Sequence, residues 1–252
     1  MENNTPKLEI YGITDEGLVR EHNEDYISWL PESGLVILAD GMGGHNAGEV
    51  ASELAVMSIT DALEEVLTPE IQNACNMDFK DAVHEAVIYA NDEINQHAKT
   101  HPECSGMGTT VVMALFHDES VILASVGDSR IYRFSKGVLE QVTTDHSLVQ
   151  EMIDNGYMSE EEALNSTNRN LITRALGIAE DVKVDVTEHK FEQGDIYLLC
   201  SDGLSDMVTD DKIFSALVKN HDNLERAGES LVELAKQNGG HDNVSVILVA
   251  CK

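Results

Sequence analysis

Acidic residues lie at the borders of short apolar runs in several parts of the 252-residue chain. The five acidic positions are Glu24-Asp25, Asp40-Gly41, Asp128, Asp202-Gly203 and Asp242-Asn243. An apolar strand fixes the residue at its end, and a neighbouring Gly lets backbone or ligand approach closely. One Asp-Gly pair alone is also ordinary turn chemistry. Five such positions in one chain indicate a shared site at the strand ends.

A cluster of these carboxylates would need a positive charge to offset its repulsion. Hard divalent cations bound through oxygen supply that charge. The chain has 4 Cys and 10 His, with no C-x-x-C motif and almost no Cys or His at metal-ligand spacing. Zinc is therefore disfavoured. The pattern predicts a site for Mg²⁺ or Mn²⁺.

Sites built around other kinds of chemistry are excluded by inspection. The chain contains no Gly-Lys dipeptide and hence no P-loop, and no Cys has an Arg six positions later. A zincin motif begins at His84-Glu85, but Ile88 stands where its second His is needed. A G-x-S-x-G elbow is also missing. These exclusions leave metal-activated water, rather than a side-chain nucleophile, as the predicted attacking group.

The charge of the chain limits its partners. With 16 Lys and Arg against 46 Asp and Glu, the net charge is −30 at pH 7. Such a surface repels phosphate backbones and anionic lipid, so we expect no nucleic-acid or membrane partner. It is compatible with basic protein segments and cations, or simply with a solvated acidic surface.

Cysteine usage and the N-terminus favour the cytoplasm. The four cysteines show no disulfide-like spacing, so we expect reduced thiols. The first residues lack the basic and apolar regions of a signal peptide. No apolar run approaches the roughly 18 residues of a membrane span. We expect a monomer, because nothing in the sequence indicates an oligomer interface.

The elements that must position the acidic residues can be predicted from periodicity. Predicted strands cover Leu8–Thr14, Leu35–Ala39, Thr109–Phe116, Val121–Val126, Ile131–Phe134, Ile196–Cys200 and Val244–Ala250. Predicted helices cover Glu49–Leu67, Asp78–Lys99 and Asn223–Gln237. Two tight connections, at 117–119 and 135–137, favour antiparallel hairpins. We therefore predict an α+β fold in one domain, residues 1–252, with a polar and helical excursion at His146–Arg169.

Eight segments of the chain follow one another in the order of a known set of motifs. They are Arg20–Asp25, Ala39–His45, Ser105–Thr110, Val126–Arg130, Thr143–Ser147, Ile172–Gly177, Cys200–Asp206 and Asp242–Val246. Together they resemble the metal-dependent protein phosphatase family, the type 2C serine/threonine phosphatases. The likeness is to the short bacterial members that oppose eukaryotic-like Ser/Thr kinases. It implies two packed antiparallel β-sheets flanked by helices on both sides, and it makes residues 146–169 a flap beside the active site.

The resemblance also implies which residues bind metal. Asp40 would bridge two ions, with the Gly41 carbonyl beside it. Asp202 and Asp242 would complete the first metal site, and Glu24 would hold the second, partly through water. The implied cofactors are two or three Mn²⁺ or Mg²⁺ ions.

The remaining implied roles concern the substrate and the surroundings of the ligands. Asp128, with Asp202, would contribute to a third and weaker metal site. Arg20 would hold the substrate phosphate and, with Asp40, act in catalysis. Asp25 and Asn243 would support the ligands. A water that bridges the metals would attack phosphorus directly, with no phosphoenzyme.

Ordinary roles for the same residues stay open from the sequence alone. Arg20 could form a surface ion pair, Glu24 could be a solvated loop acid, and Asp128 could cap the following turn. Three histidines near the motifs are expected to make structural hydrogen bonds: His45, His146 and His241. One residue departs from part of the family: Met42 follows Asp40-Gly41 where some members carry a His proposed as general acid.

Three hypotheses about function follow. The first is an active phosphatase for phosphoserine and phosphothreonine in proteins, with a Ser/Thr kinase and its targets as substrates. The alternative is a pseudophosphatase, a catalytically inactive module that binds phosphoproteins or regulates them. A Ca²⁺-buffering acidic protein is the third, but it would need neither Arg20 nor the ordered motifs.

Overall fold

Two antiparallel β-sheets form the centre of the protein. The computed structural model describes residues 7–44, 47–67, 78–159, 162–163, 166, 168 and 170–252. The strands are β1 (Leu8–Asp15), β2 (Asp25–Leu30), β3 (Leu35–Met42), β4 (Gly108–Thr109), β5 (Val111–His117), β6 (Ser120–Val126), β7 (Arg130–Ser135), β8 (Val138–Gln141), β9 (Asp185–Lys190), β10 (Ile196–Cys200) and β11 (Val244–Cys251). Sheet I has the order β1-β11-β10-β7-β8, and sheet II has the order β2-β3-β5-β6-β9, with β4 paired to β3.

Helices cover the outer faces of both sheets. The described helices are α1 (Ala47–Val66), α2 (Phe79–Thr100), α3 (Leu148–Asp154), α4 (Asp202–Ser205), α5 (Asp210–Lys219) and α6 (Leu224–Gln237), with a 3₁₀ turn at Pro102–Cys104. Helices α1 and α2 pack on sheet II, and α5 and α6 pack on sheet I. Asp78 and Asn223 cap α2 and α6 by accepting backbone N–H groups two and three residues later. Within the described residues, no helix is both long and apolar enough to span a membrane.

The alternation of side chains along each strand produces three apolar layers. In β3, Leu35, Ile37 and Ala39 pack against α1 and α2, whereas Val36 and Leu38 point toward sheet I. In β11, the even-numbered residues face α5 and α6, and Ile247, Val249 and Cys251 face sheet II. Central strands are buried on both faces, which explains their continuous apolar sequences.

The α+β prediction, with two packed antiparallel sheets and helices on both sides, is confirmed. The two predicted hairpins are also confirmed, since β5 pairs with β6 and β7 with β8. Lys136 and Gly137 have φ of 50° and 77°, as a two-residue hairpin turn requires.

The prediction missed three edge strands and two helices, the four-residue α4 and α5. Strands β2, β8 and β9 lie at sheet edges and carry polar residues, so they lack the continuous apolar run of a central strand. Helix α5 is short, and its buried residues are only Ile213, Ala216 and Leu217. Of the predicted helical excursion at 146–169, the structure describes α3 and a helical pair at 162–163. Cys75 and His45 lie outside the described residues.

Candidate active site

The pairing of β2 with β3 places two carboxylates side by side. Asp25 lies directly opposite Asp40 in the antiparallel register. Asp40 continues the row of Val36 and Leu38, which faces sheet I. Both acids therefore lie at one end of the apolar layer between the sheets, where that layer meets solvent.

Two threonines fix the backbone of Asp40. The Asp40 carbonyl accepts hydrogen bonds from Thr110 N at 2.9 Å and from Thr109 Oγ1 at 2.9 Å. Asp40 N donates in return to Thr110 Oγ1 at 3.2 Å. These bonds hold the end of β3 against the segment that leads into β5, so the Asp40 side chain starts from a rigid position.

Asp25 joins the two sheets through serine residues. Ser201 Oγ donates to Asp25 Oδ2 at 2.8 Å and accepts from Ser245 N at 3.0 Å. Asp25 is buried, with 7% of its surface exposed, and its Oδ1 has no hydrogen-bond partner among the described residues. A buried carboxylate oxygen without a donor is costly unless it is protonated or faces a cation.

Sheet I contributes Asp202, and the connection between the two sheets contributes Asp128. Asp202 follows β10 and begins the short helix α4, and Asp128 lies in the turn between β6 and β7. Asp202 raises the pKa of Asp40 by charge repulsion, and so does Asp128. Asp40, Asp128 and Asp202 are only partly buried, so ions can reach them.

The electrostatics of this cluster are unfavourable when all its carboxylates are ionised. Burial, followed by repulsion from neighbouring carboxylates, raises the pKa of Asp40 and of Asp202 well above their usual range. Burial likewise raises the pKa of Asp25 and of Asp128 to about 6. The structure therefore contains negative charge that its own side chains do not offset.

Glu24 lies beside this cluster, next to the start of α1. Burial raises the pKa of Glu24, and a hydrogen bond from the backbone of Gly48 lowers that pKa by a smaller amount. A Cβ on Gly48 would lie 2.7 Å from the Glu24 carboxylate, and a Cβ on Gly41 would lie 2.1 Å from the Gly48 carbonyl. Close contact between β3, α1 and the Glu24 loop therefore requires both glycines. Gly41 N also donates to the Glu24 carbonyl at 3.0 Å.

Asn243 organises the loop that carries Arg20 and Glu24. Its Nδ2 donates to the carbonyls of Glu16 at 3.1 Å and His22 at 2.9 Å. Its Oδ1 accepts from Glu24 N at 2.9 Å. Asn243 is buried, so these bonds fix the loop against the start of β11. The geometry fits a supporting role for Asn243, as the resemblance implied.

Arg20 forms an ion pair with Asp242. Arg20 Nη2 donates to Asp242 Oδ2 at 2.6 Å. The Arg20 side chain is 51% exposed, so its guanidinium lies at the solvent edge of the acidic cluster. An arginine in this position can bind an oxyanion that approaches from solvent. The same contact means that Arg20 competes with any cation for Asp242.

The residues present suit a hard cation. All side-chain donors are carboxylate oxygens, burial and neighbouring charge raise the pKa of Asp40 and of Asp202, and one buried oxygen of Asp25 lacks a donor. Among the residues that the structure describes, no three His, Cys, Asp or Glu side chains already have the spacing of a ligand set. A cation bound at Asp242 would compete with Arg20, which is already paired with that carboxylate.

Two nearby histidines have structural contacts. The buried His146 accepts a hydrogen bond from Gly127 N and lies 3.1 Å from Asp185 Oδ2. His241 is exposed, and its ring packs against Gly239.

Four polar residues of this region were not predicted as parts of the site. Asp206 adds to the charge that raises the pKa of Asp202 and of Asp128. Its spacing of four from Asp202 is the signal in the sequence, since that spacing repeats on one helix face. Ser201 and Ser245 could be found only from strand alternation, and Thr110 only from the pairing of distant segments.

Sequence comparisons match this chain to a protein family and to relatives with assigned functions. The family described as Protein phosphatase 2C matches residues 19–237. The serine/threonine phosphatase stp of Listeria monocytogenes is 39% identical over 243 residues, which span 94% of this chain and 93% of that protein. The serine/threonine protein phosphatase PstP of Mycobacterium tuberculosis is 39% identical over 235 residues, which span 93% of this chain and 43% of PstP.

Solved structures agree with the sequence comparisons. The crystal structure of the M. tuberculosis serine/threonine phosphatase PstP/Ppp has a TM-score of 0.88 and 38% identity, and the match covers 97% of this chain and 99% of that one. The catalytic domain of PstP in complex with 2 manganese ions has a TM-score of 0.84 and 37% identity, over 96% and 97% of the two chains.

The raised pKa of Asp25 leads to a prediction about stability without metal. A carboxyl whose folded pKa is raised contributes stability that is lost as pH rises through that pKa, here about 6. In EDTA, Asp25→Asn should therefore stabilise the protein at about pH 7.5 by about 1–2 kcal/mol and have a smaller benefit at about pH 5. Urea unfolding at both pH values measures the difference.

The exposed helical residue Asp92 supplies the control for this experiment. Asp92→Asn should leave the pH dependence of the unfolding free energy as it is in the wild type. A loss of stability in Asp25→Asn that is equal at both pH values would contradict the electrostatic account.

The Arg20–Asp242 pair leads to a prediction about metal affinity. Arg20→Gln removes a cation that competes for Asp242, so the variant should bind Mn²⁺ about two- to five-fold more tightly, as expected for a partly exposed pair of about 0.5–1 kcal/mol. Isothermal titration calorimetry on EDTA-treated protein measures this. Lys236→Gln, which breaks the 2.8 Å pair with Asp15 outside the acidic cluster, is the matched control. Weaker Mn²⁺ binding by Arg20→Gln would refute the competition.

Proposed function

The chain belongs to the protein phosphatase 2C family, and from this premise we propose that it hydrolyses phosphoserine and phosphothreonine in proteins with the help of two or three Mn²⁺ or Mg²⁺ ions. Membership of that family makes it a phosphoprotein phosphatase of the bacterial type. The finer parts of the proposal are the metal dependence, the residues that carry the reaction and the substrates.

The observation that carries the proposal is the convergence of carboxylates from both sheets. Asp25 and Asp40 from sheet II lie within electrostatic reach of Asp202 and Asp242, which border strands of sheet I. Asp128, between the sheets, adds to the charge at Asp40. We assign metal binding to Glu24, Asp40, the Gly41 carbonyl, Asp128, Asp202 and Asp242. Bound Mn²⁺ or Mg²⁺ would supply Lewis acidity, which activates water and offsets the charge of a phosphoryl group.

Arg20 is proposed to bind the substrate phosphate. Its planar guanidinium can donate two parallel hydrogen bonds to phosphoryl oxygens. It lies at the exposed edge of the cluster, where a phosphorylated side chain would enter from solvent. In this position, Arg20 would orient the phosphoryl group and stabilise its charge during the reaction.

Water is proposed as the nucleophile because the nearby side chains are unsuited to that role. Burial raises the pKa of the Cys200 thiol to about 12, so it is not ionised at neutral pH. The hydroxyl of Ser201 is buried and engaged with Asp25 and with Ser245 N. No phosphoenzyme is expected from either residue.

The substrates are proposed to be phosphorylated proteins, among them a Ser/Thr kinase and its targets. A net charge of −30 favours approach by phosphosites with basic flanking residues. Three buried cysteines, Cys104, Cys200 and Cys251, are free thiols, which suits the reducing cytoplasm. We expect the protein to act there, and as a monomer.

The proposal is tested by metal removal and return. Protein treated with EDTA should not hydrolyse a phosphothreonine peptide, and added Mn²⁺ or Mg²⁺ should restore turnover. Asp202→Asn should lower the restored rate by at least about hundredfold, because it removes a ligand of the ions that activate water. Phosphate release under steady-state conditions measures both effects.

Asp222→Asn is the matched control, since Asp222 is an exposed acid in the loop between α5 and α6. It should retain the wild-type rate. A folded protein that binds Mn²⁺ and the phosphopeptide yet never turns over would refute the proposal and support the pseudophosphatase alternative.

A further inference from the structure

The dipeptide Asp145-His146 contacts both ends of the turn that carries Asp128. It follows β8 and begins the flap, residues 146–169. The turn comprises residues 127–129 and joins β6 to β7, which begins at Arg130. The resemblance to the type 2C phosphatases includes Asp145 and His146 in the segment Thr143–Ser147 but implies no role in the reaction for either residue.

His146 holds the first residue of this turn at two points. The backbone N of His146 donates to the Gly127 carbonyl at 2.9 Å, and Gly127 N donates to His146 Nδ1 at 3.0 Å. Gly127 has φ of 106°, and a Cβ there would lie 2.6 Å from the Thr110 side chain. The conformation immediately before Asp128 is therefore accessible only to glycine, and His146 satisfies both of its backbone polar groups.

Asp145 holds the other end of the turn. Arg130 donates from Nη2 to Asp145 Oδ2 at 2.7 Å and from Nε to both carboxylate oxygens at 3.0 Å. Both side chains are largely buried, at 25% and 12% exposure, so this pair is well ordered. Asp128 thus lies between Gly127, which is held by His146, and Arg130, which is held by Asp145.

The hydrogen bonds determine the tautomer of His146. Because Gly127 N–H points at Nδ1, that nitrogen carries the lone pair and the proton is on Nε2. Nε2 then donates to Asp185 Oδ2 at 3.1 Å, while Arg174 Nη1, which lies 3.0 Å from Nε2, donates to the other oxygen of Asp185 at 3.3 Å. Burial lowers the pKa of His146, which agrees with a neutral ring.

His146 is also bonded to the far end of the flap. Thr173 N donates to the His146 carbonyl at 2.7 Å, and Ser147 forms a β-bridge with Ile172. Leu148 N adds a bond to the Leu171 carbonyl at 2.8 Å. The two chain segments that lead into and out of the flap therefore meet at His146, the residue that holds the Asp128 turn.

We propose that His146 is a positioning residue for Asp128, acting through Gly127, and that it couples the base of the flap to this carboxylate. The proposal rests on the proposed function, because it assumes that Asp128 takes part in phosphate-ester hydrolysis. We assign His146 no direct contact with substrate or metal. The hydrogen bond that Nδ1 accepts from Gly127 N fixes the conformation of the Asp128 turn. The hydrogen bond that Nε2 donates to Asp185 fixes the imidazole ring in place.

Two substitutions separate these contacts. The Asn side-chain oxygen can replace Nδ1 as the acceptor for Gly127, and the Gln side-chain amide can replace Nε2 as the donor to Asp185. We expect His146→Gln to lower kcat for a phosphothreonine peptide by about 10- to 100-fold, the usual range for a residue that orients a ligand. His146→Asn should recover most of that loss, to within about threefold of the wild type.

A double-mutant cycle shows whether His146 acts through Asp128. On an Asp128→Ala background, His146→Gln should cause almost no further loss of kcat, since the residue to be positioned is gone. Full additivity of the two losses would overturn the proposal. So would His146→Asn with activity as low as His146→Gln.

Hydrogen exchange of the Gly127 amide gives a readout that does not depend on activity. The amide should be protected in wild type and in His146→Asn, and should exchange at least about tenfold faster in His146→Gln. An inactive wild type would contradict the proposed function, whereas unchanged exchange in His146→Gln would contradict the positioning role. If His146→Gln does not fold, Asp145→Asn replaces it in the cycle, because it loosens the Arg130 end of the same turn.

Discussion

The crowding of carboxylates at one end of an apolar layer, where desolvation and mutual repulsion both oppose their ionisation, is the constraint on which this structure depends. Asp25, Asp40, Asp128 and Asp202 have raised pKa values because they share the end of one apolar layer. A fold selected only for stability would place apolar or paired residues there. The three packed apolar layers stabilise the fold enough to offset the unfavourable free energy of the crowded carboxylates. The uncompensated negative charge of these carboxylates favours the binding of cations.

Rigid backbone surrounds the carboxylates that must stay in place. Thr109 and Thr110 hold Asp40, Ser201 holds Asp25, and Asn243 holds the loop of Glu24. These contacts join segments up to 219 residues apart in the chain. Hydrolysis by a metal-dependent phosphatase needs such preorganised geometry, because positioning and charge stabilisation account for most of the catalysis of phosphoryl transfer.

Continuously apolar strands and helical periodicity allowed the α+β class to be predicted, and the family resemblance implied the two packed sheets. Asp next to Gly or Asn at the strand ends indicated a shared acidic site. Edge strands such as β9 were missed, since one solvent-facing side removes that signal. A surface ion pair of Arg20 was one of the alternatives, but its partner Asp242 was missed, because the two residues lie 222 positions apart. Contacts that depend on tertiary pairing, like those of His146 and Ser201, leave no local pattern to read.

The most direct test of the central claim is the number of protons released when Mn²⁺ binds. Calorimetric titration of EDTA-treated protein in two buffers of different ionisation enthalpy gives this number at about pH 6 and about pH 8. Raised carboxyl pKa values predict proton release at the lower pH and less release at the higher one. Mn²⁺ binding without proton release at about pH 6 would show that the carboxylates are already ionised and compensated, which contradicts the account.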